Sequence, residues 1–358
     1  MKEDFLDKKL QQRKEQDAYR QLKTTAGMVD FCSNDYLGLA QKLTSGAALP
    51  HGATGSRLLA GNNVLTEVAE TQLALFHQSA AALIFNSGYD ANVGLLSCIA
   101  QRGDIILYDY LSHASIRDGI RLSFAQAHSF LHNDMGDLEK KLQQASGTVF
   151  VVTESVFSMD GDLAPLKDIS RLCQQYNAHL IVDEAHATGV IGSDGAGLVQ
   201  QLQLQHACFA RVHTFGKAVG CHGAAVLGST TLRNYLINFS RAFIYTTALP
   251  PASIAVLQQA YQLFPHLHAE RLHLQQLIQQ FQQTAIRYQK LISPSPIQAV
   301  VVPGNTAVKQ LAQQLQQNGF DVRPILYPTV PQGAERLRIV LHAFNTTAEL
   351  QQLLALLQ

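Results

Sequence analysis

Charge is scarce in this chain. Only 15% of its 358 residues are Asp, Glu, Lys or Arg, against roughly 25% in a typical soluble protein. Neither sign is in excess, since 27 Lys and Arg balance 27 Asp and Glu. Nucleic-acid binding leans on clustered positive charge. No basic stripe occurs here, which argues against such a partner. Cysteine is sparse as well. Cys32, Cys98, Cys173, Cys208 and Cys221 are scattered, odd in number and form no C-x-x-C. That pattern argues against a disulfide framework or a zinc site and suits a reducing cytoplasm. Long apolar runs are missing, and none approaches the roughly 18 residues that span a bilayer. The N-terminus, "MKEDFLDKKLQQRKEQ", is charged and lacks the apolar stretch of a signal peptide.

What is present is a sizeable apolar fraction, 47%, in a chain longer than one core usually serves. From residue 81 onward the pattern alternates. "AALIFNS" (81–87), "DIILYD" (104–109), "TVFVVTES" (148–155), "AHLIVDEAH" (178–186) and "ARVHTFGK" (210–217) read as strands. "GYDANVGLLSCIA" (88–100), "HASIRDGIRLS" (113–123) and "LKDISRLCQQYN" (166–177) read as helices, as do residues 3–23 and 64–78. Apolar strands separated by helices predict a mostly parallel sheet covered on both faces. Long helices follow near 250–290, then short strands alternate with Gln-rich helices, a small α+β pattern. The expected organisation is an N-terminal helix and arm over 1–40, a large domain over 41–265 and a small C-terminal domain over 266–358.

In open α/β sheets, ligands gather beyond the carboxyl ends of the strands. Ser87, Gly88 and Tyr89 follow the first strand and open a helix, where free N–H groups suit a phosphate. Ser158, Asp183 with His186, and Thr214 with Lys217 follow later strands, and His113 opens another helix. Taken singly, each has an ordinary use. Asp183 could cap a helix, His113 likewise, and His186 could be a packed core histidine. Lys217 in "HTFGKAVG" is harder to dismiss, because Lys seldom sits among apolar and Gly neighbours unless paired or modified. A nucleotide phosphate loop fails at Arg211 and Ala218, no G-x-S-x-G occurs, and "HLHAERLH" lacks metal-ligand spacing. Together the residues suit pyridoxal phosphate: an amine for its aldehyde, an acid for its ring nitrogen, an imidazole for its face, and hydroxyls with a helix start for its phosphate.

The segments "SNDYLGL", "LSHASIRDG", "VVTESVFSMDGDLAPL", "VDEAHATGVIG", "HTFGKA" and "PTVPQGAERLRI" resemble the α-oxoamine synthases, from about residue 17 to the end. The resemblance implies an α/β fold-type I pyridoxal-phosphate transferase. Its large domain would hold a mostly parallel seven-stranded sheet flanked by helices, beside a small α+β domain. It implies a cytoplasmic homodimer with shared active sites. The implied reaction condenses L-alanine with a pimeloyl thioester, on coenzyme A or a carrier protein, and the alternative joins glycine to an acetyl group or is the reaction of another α-oxoamine synthase. It casts Lys217 as the Schiff-base lysine, Asp183 as partner of the ring nitrogen, His186 as donor to the ring hydroxyl and His113 as the stacked imidazole. Ser87, Gly88, Tyr89, Ser158, Thr214, Thr246 and Thr247 would complete the cofactor site. The last two belong to "IYTTALPP", a segment implied to reach the neighbouring subunit's phosphate. Arg338 with Asn34 would take the amino-acid carboxylate, and Arg20 with Thr329 the acyl substrate. In one departure from the family, "RPILYPTVP" lacks the basic residue often found just before "PPTVP", and Arg323 stands further upstream.

Overall fold

Runs such as "AALIF", "VFVVTE" and "HLIVD" are apolar on both of their alternating faces, so a sheet built from them must be covered on both sides. A computed structural model, which describes residues 3–24, 27–45 and 49–358, shows such a sheet. Two compact units share the chain. The larger comprises Leu37–Ser158 and Leu163–Arg271, and the smaller comprises Met1–Tyr36, Met159–Asp162 and Leu272–Gln358.

The larger unit holds seven strands: β1 (Ala81–Phe85), β2 (Ile105–Asp109), β3 (Gln126–Phe130), β4 (Val149–Glu154), β5 (His179–Asp183), β6 (Cys208–Thr214) and β7 (Ala224–Gly228). They lie in the order β1-β7-β6-β5-β4-β2-β3. β7 is antiparallel to both neighbours, and the other four pairings are parallel. Six strands therefore deliver their carboxyl ends to one edge. Helices α1 (Val64–Phe76), α2 (Gly88–Ile99) and α3 (Ala114–Leu122) join the strands with others. On one face of the sheet, Leu95, Leu96 and Ile116 pack with Phe85, Val152 and Val212. A second core gathers Leu138, Leu142, Ile169 and Leu172 with Val151 and Val182. Each such side chain contributes about 1.5–3 kcal/mol by leaving water. The backbone thus stays rigid where the strands end.

Two of the seven strands escape a reading by apolar runs. β3 is an edge strand, "QAHSF", whose first three residues are exposed. β7, "AAVLG", is short and bounded by Gly.

The smaller unit carries an antiparallel sheet in the order Arg323–Ile325, Arg336–Val340, Ile297–Val301, Gln289–Lys290. The N-terminal segment joins it through a parallel pair, Val29–Asp30 against Phe320–Asp321. The N-terminal helix is shorter than the expected 3–23 and covers Asp4–Glu15. The chain leaves the helix because Asp17 turns left-handed, with φ 50°. That turn lets Asp17 form an ion pair with Lys309 and accept a hydrogen bond from Thr306 Oγ1 at 3.1 Å.

Candidate active site

Each expected cofactor residue of the larger unit lies at or beyond the end of a strand, except Thr246 and Thr247, which follow the short helix Arg241–Ile244. After β1, Ser87 caps α2 by accepting the Asp90 N–H at 3.0 Å. Gly88 then approaches the end of β6 closely. A Cβ added there would stand 3.2 Å from Thr214 Oγ1 and 3.3 Å from Thr214 Cβ. The first turn of α2, with N–H groups the helix itself cannot satisfy, is thus held beside a hydroxyl. Tyr89 is exposed, and its hydroxyl donates to Asp118 Oδ2 at 2.5 Å, a bond that raises the phenol above its usual range. Asn86 Nδ2 donates to Thr246 Oγ1 at 2.9 Å and to the Thr247 carbonyl at 2.6 Å. Both threonines therefore border the β1–α2 turn of their own subunit.

At the centre of the edge, Asp183 ends β5 and is buried. Its Oδ1 accepts the Ala185 N–H at 2.9 Å, and its Oδ2 accepts from Asn92 Nδ2 at 2.7 Å. Glu154 ends β4, pairs in register with Asp183 and is also buried. Burial holds the Glu154 carboxyl well above the usual range, and the charge of Asp183 pushes it the same way. Its Oε1 accepts the His113 N–H at 2.6 Å, which fixes the start of α3. His113 Nδ1 caps that helix by accepting the Ser115 N–H at 3.2 Å. Burial lowers the basicity of His113; the charge of Asp183 opposes this and that of Lys217 adds to it. The fields of Asp183 and Lys217 are therefore felt by both His113 and Glu154.

Lys217 is half-buried in the hairpin between β6 and β7. The Phe215 N–H donates to the Gly223 carbonyl at 2.8 Å, the Cys221 N–H to that of Phe215 at 2.9 Å, and the Gly220 N–H to that of Lys217 at 2.8 Å. Thr214 ends β6, His186 is buried beyond β5, and Ser158 is half-buried beyond β4.

Within the smaller unit, the expected substrate residues fall into two pairs. Arg338 Nη2 donates to Asn34 Oδ1 at 2.9 Å, and Tyr36 Oη donates to the same oxygen at 3.1 Å. Tyr36 is fully buried, and burial pushes its hydroxyl up to about 12. Arg20 Nη2 donates to Thr329 Oγ1 at 3.2 Å on the exposed side.

Reading by strand ends misses Asn86, Asn92, Ser115 and Glu154. Asn92 leaves a faint signal, because Asn is disfavoured inside a helix. Glu154 leaves another, a carboxylate closing the apolar run "VFVVT". The donor set fits pyridoxal phosphate on this geometry. It offers an acid held by two N–H donors, an imidazole with an exposed side, an amine on a fixed hairpin, and a helix start whose Gly leaves only tight room for a Cβ.

Comparison with known proteins agrees. The family model described as "Aminotransferase class I and II" matches residues 26–357. The chain is similar to an 8-amino-7-oxononanoate synthase of Marinobacter nauticus, at 39% identity over 97% of this chain and 94% of that protein. It is 41% identical to one from Emericella nidulans, over 91% of this chain and 87% of the relative. Among solved structures, the 8-amino-7-oxononanoate synthase of Francisella tularensis superposes with a TM-score of 0.78 at 31% identity, covering 92% of this chain and 96% of that one. A serine palmitoyltransferase from S. paucimobilis with bound PLP–myriocin aldimine superposes with a TM-score of 0.89 at 27% identity, covering 99% and 96% of the two chains. The chain belongs to the class I and II aminotransferase family of pyridoxal-phosphate-dependent enzymes.

Proposed function

We propose that this enzyme is an 8-amino-7-oxononanoate synthase of biotin synthesis, acting as a cytoplasmic homodimer. It condenses L-alanine with a pimeloyl thioester. The net change joins alanine Cα to the thioester carbonyl carbon and releases CO₂ and the free thiol. What carries the reading is the 39–41% identity, over 91–97% of the chain, to proteins of that name.

Pyridoxal phosphate, when bound, supplies an electron sink for the carbon that carries the amino group. The chain's own residues bind and move protons around it. Lys217 would anchor the cofactor aldehyde and, as a free amine, would take the alanine Cα proton. Asp183 would accept a hydrogen bond from the ring N–H and so keep that nitrogen protonated, and His186 would donate to the ring hydroxyl. His113 would stack against the ring and help orient the acyl carbonyl. The Ser87–Tyr89 turn, Thr214, Thr246 and Thr247 hold the phosphate, with Ser158 as a further contact. Arg338 grips the alanine carboxylate as a charged fork while Asn34 steadies it. Arg20 and Thr329 serve the acyl donor.

The test is thiol release by the cofactor-loaded enzyme. L-Alanine with pimeloyl-CoA is compared with glycine plus acetyl-CoA and with L-serine plus palmitoyl-CoA. The last pair is included because the serine palmitoyltransferase superposes more closely than the Francisella synthase, 0.89 against 0.78. Release should be fastest with the first pair. Preference for either other pair overturns the substrate assignment and leaves the family intact.

A further inference from the structure

Asn92 and Ser115 join two cofactor residues that lie on different elements. Asn92 Nδ2 stands 2.7 Å from Asp183 Oδ2 and 3.0 Å from Ser115 Oγ. Ser115 Oγ stands 2.7 Å from His113 Nδ1. Asn92 and Ser115 are 3% and 1% exposed, so water does not compete for these bonds.

The direction of every bond in the chain can be worked out. A carboxylate offers only acceptors, so Asn92 must turn its NH₂ toward Asp183. The same NH₂ has a second hydrogen, which Ser115 Oγ accepts. The Ser115 hydroxyl then keeps its own hydrogen to give, and His113 Nδ1 is the acceptor within reach. The Ser115 backbone N–H points at the same ring nitrogen, at 3.2 Å. A nitrogen that accepts from two donors carries no proton in a neutral imidazole.

We propose that Asn92 and Ser115 are positioning residues that bind Asp183 and His113 into one hydrogen-bonded unit and fix His113 as the Nε2–H tautomer. The exposed side of the ring then presents a donor, suited to a carbonyl or carboxylate oxygen of the substrate and unsuited to a cationic amine. The functional half of this statement rests on the reading of His113 as the imidazole of the cofactor site. The tautomer itself does not.

The experiment is a two-bond proton–nitrogen correlation spectrum of the holoenzyme labelled with ¹⁵N-histidine, at about pH 8, where neutral imidazole prevails. His113→Gln identifies the His113 signals by their loss, and the cofactor-free protein is measured alongside. His113 should show a pyridine-type Nδ1 and a protonated Nε2 in both. Ser115→Ala should move the Nδ1 resonance downfield, toward an unbonded nitrogen, and Ser115→Thr should return it. Asn92→Asp should move it the same way, because the new carboxylate takes the serine's hydrogen. A wild-type ring protonated on Nδ1 overturns the proposal, as does an Nδ1 signal indifferent to both Ser115→Ala and Asn92→Asp. Absence of thiol release with every substrate pair would overturn the proposed reaction instead and leave the ring measurement standing.

Discussion

Lys217 and Arg338 divide the proposed chemistry between a proton and a charge, and their variants should fail differently. Lys217→Ala removes the base. Thiol release should fall by about 10³-fold or more, at the upper part of the range for acid–base groups, with an unchanged far-ultraviolet circular dichroism spectrum. Arg338→Ala removes charged hydrogen bonds, each contributing about 1.5–3 kcal/mol. The KM for alanine should rise about ten- to a hundredfold, as steady-state kinetics would show. Unchanged alanine KM would place the carboxylate elsewhere. The placement of Lys217, Asp183 and His113 at or beyond strand ends was legible in the sequence because each follows an apolar run, and only Lys217 is also chemically out of place there. Asn92 and Ser115 were not legible. Their importance lies in one another and in Asp183, which is 91 residues from Asn92 in the chain, and no local pattern encodes such a meeting.

At the scale of elements, the start of α2 is the part most exposed to small changes. The contact of 3.2 Å awaiting a Cβ at Gly88 means that Gly88→Ala must push the helix start and Thr214 apart by a few tenths of an ångström. A shift of that kind misplaces N–H donors that act only at close range. Pyridoxal phosphate affinity should fall severalfold, read by fluorescence titration, with the melting temperature nearly unchanged. Equal affinity would show that the turn does not cradle the phosphate. Parallel strands buried on both faces announce themselves as unbroken apolar runs, which is why β1, β2, β4, β5 and β6 were foreseen. β3 is half solvated and its composition is that of a loop. β7 gains its strand character from pairing with β1 and β6 on either side, a tertiary fact.

For the molecule as a whole, stability should carry the signature of a buried acid. Glu184 is fully buried beside Asp183, and burial pushes its carboxyl up to about 7. Its Oε1 accepts the Val199 N–H at 3.2 Å, and that bond, the Ser155 hydroxyl and the charge of Arg211 offset the burial only in part. The folded state keeps the carboxyl proton up to about pH 7, whereas the unfolded chain releases it near the ordinary 4.5. Stability from this group is therefore full below 4.5 and is lost as pH rises through that window. Relative to Glu184→Gln, the wild type should lose about 3 kcal/mol across it, measured by urea unfolding at several pH values. His77 and His213 act with the opposite sign. Burial holds both well below 6.5, so their contribution is lost as pH falls, but it cancels between the two proteins. A flat difference would remove Glu184 as the titrating group. The parallel pair of Val29–Asp30 with Phe320–Asp321 has a consequence in time. Its two halves are nearly three hundred residues apart, so a ribosome adding about 5–20 residues per second needs about 15–60 s to deliver the second half. Through that interval the apolar segment around Phe31 emerges without its mate. The smaller unit must therefore assemble only after residues 320–321 have been made, later than the larger unit, whose last residue is Arg271.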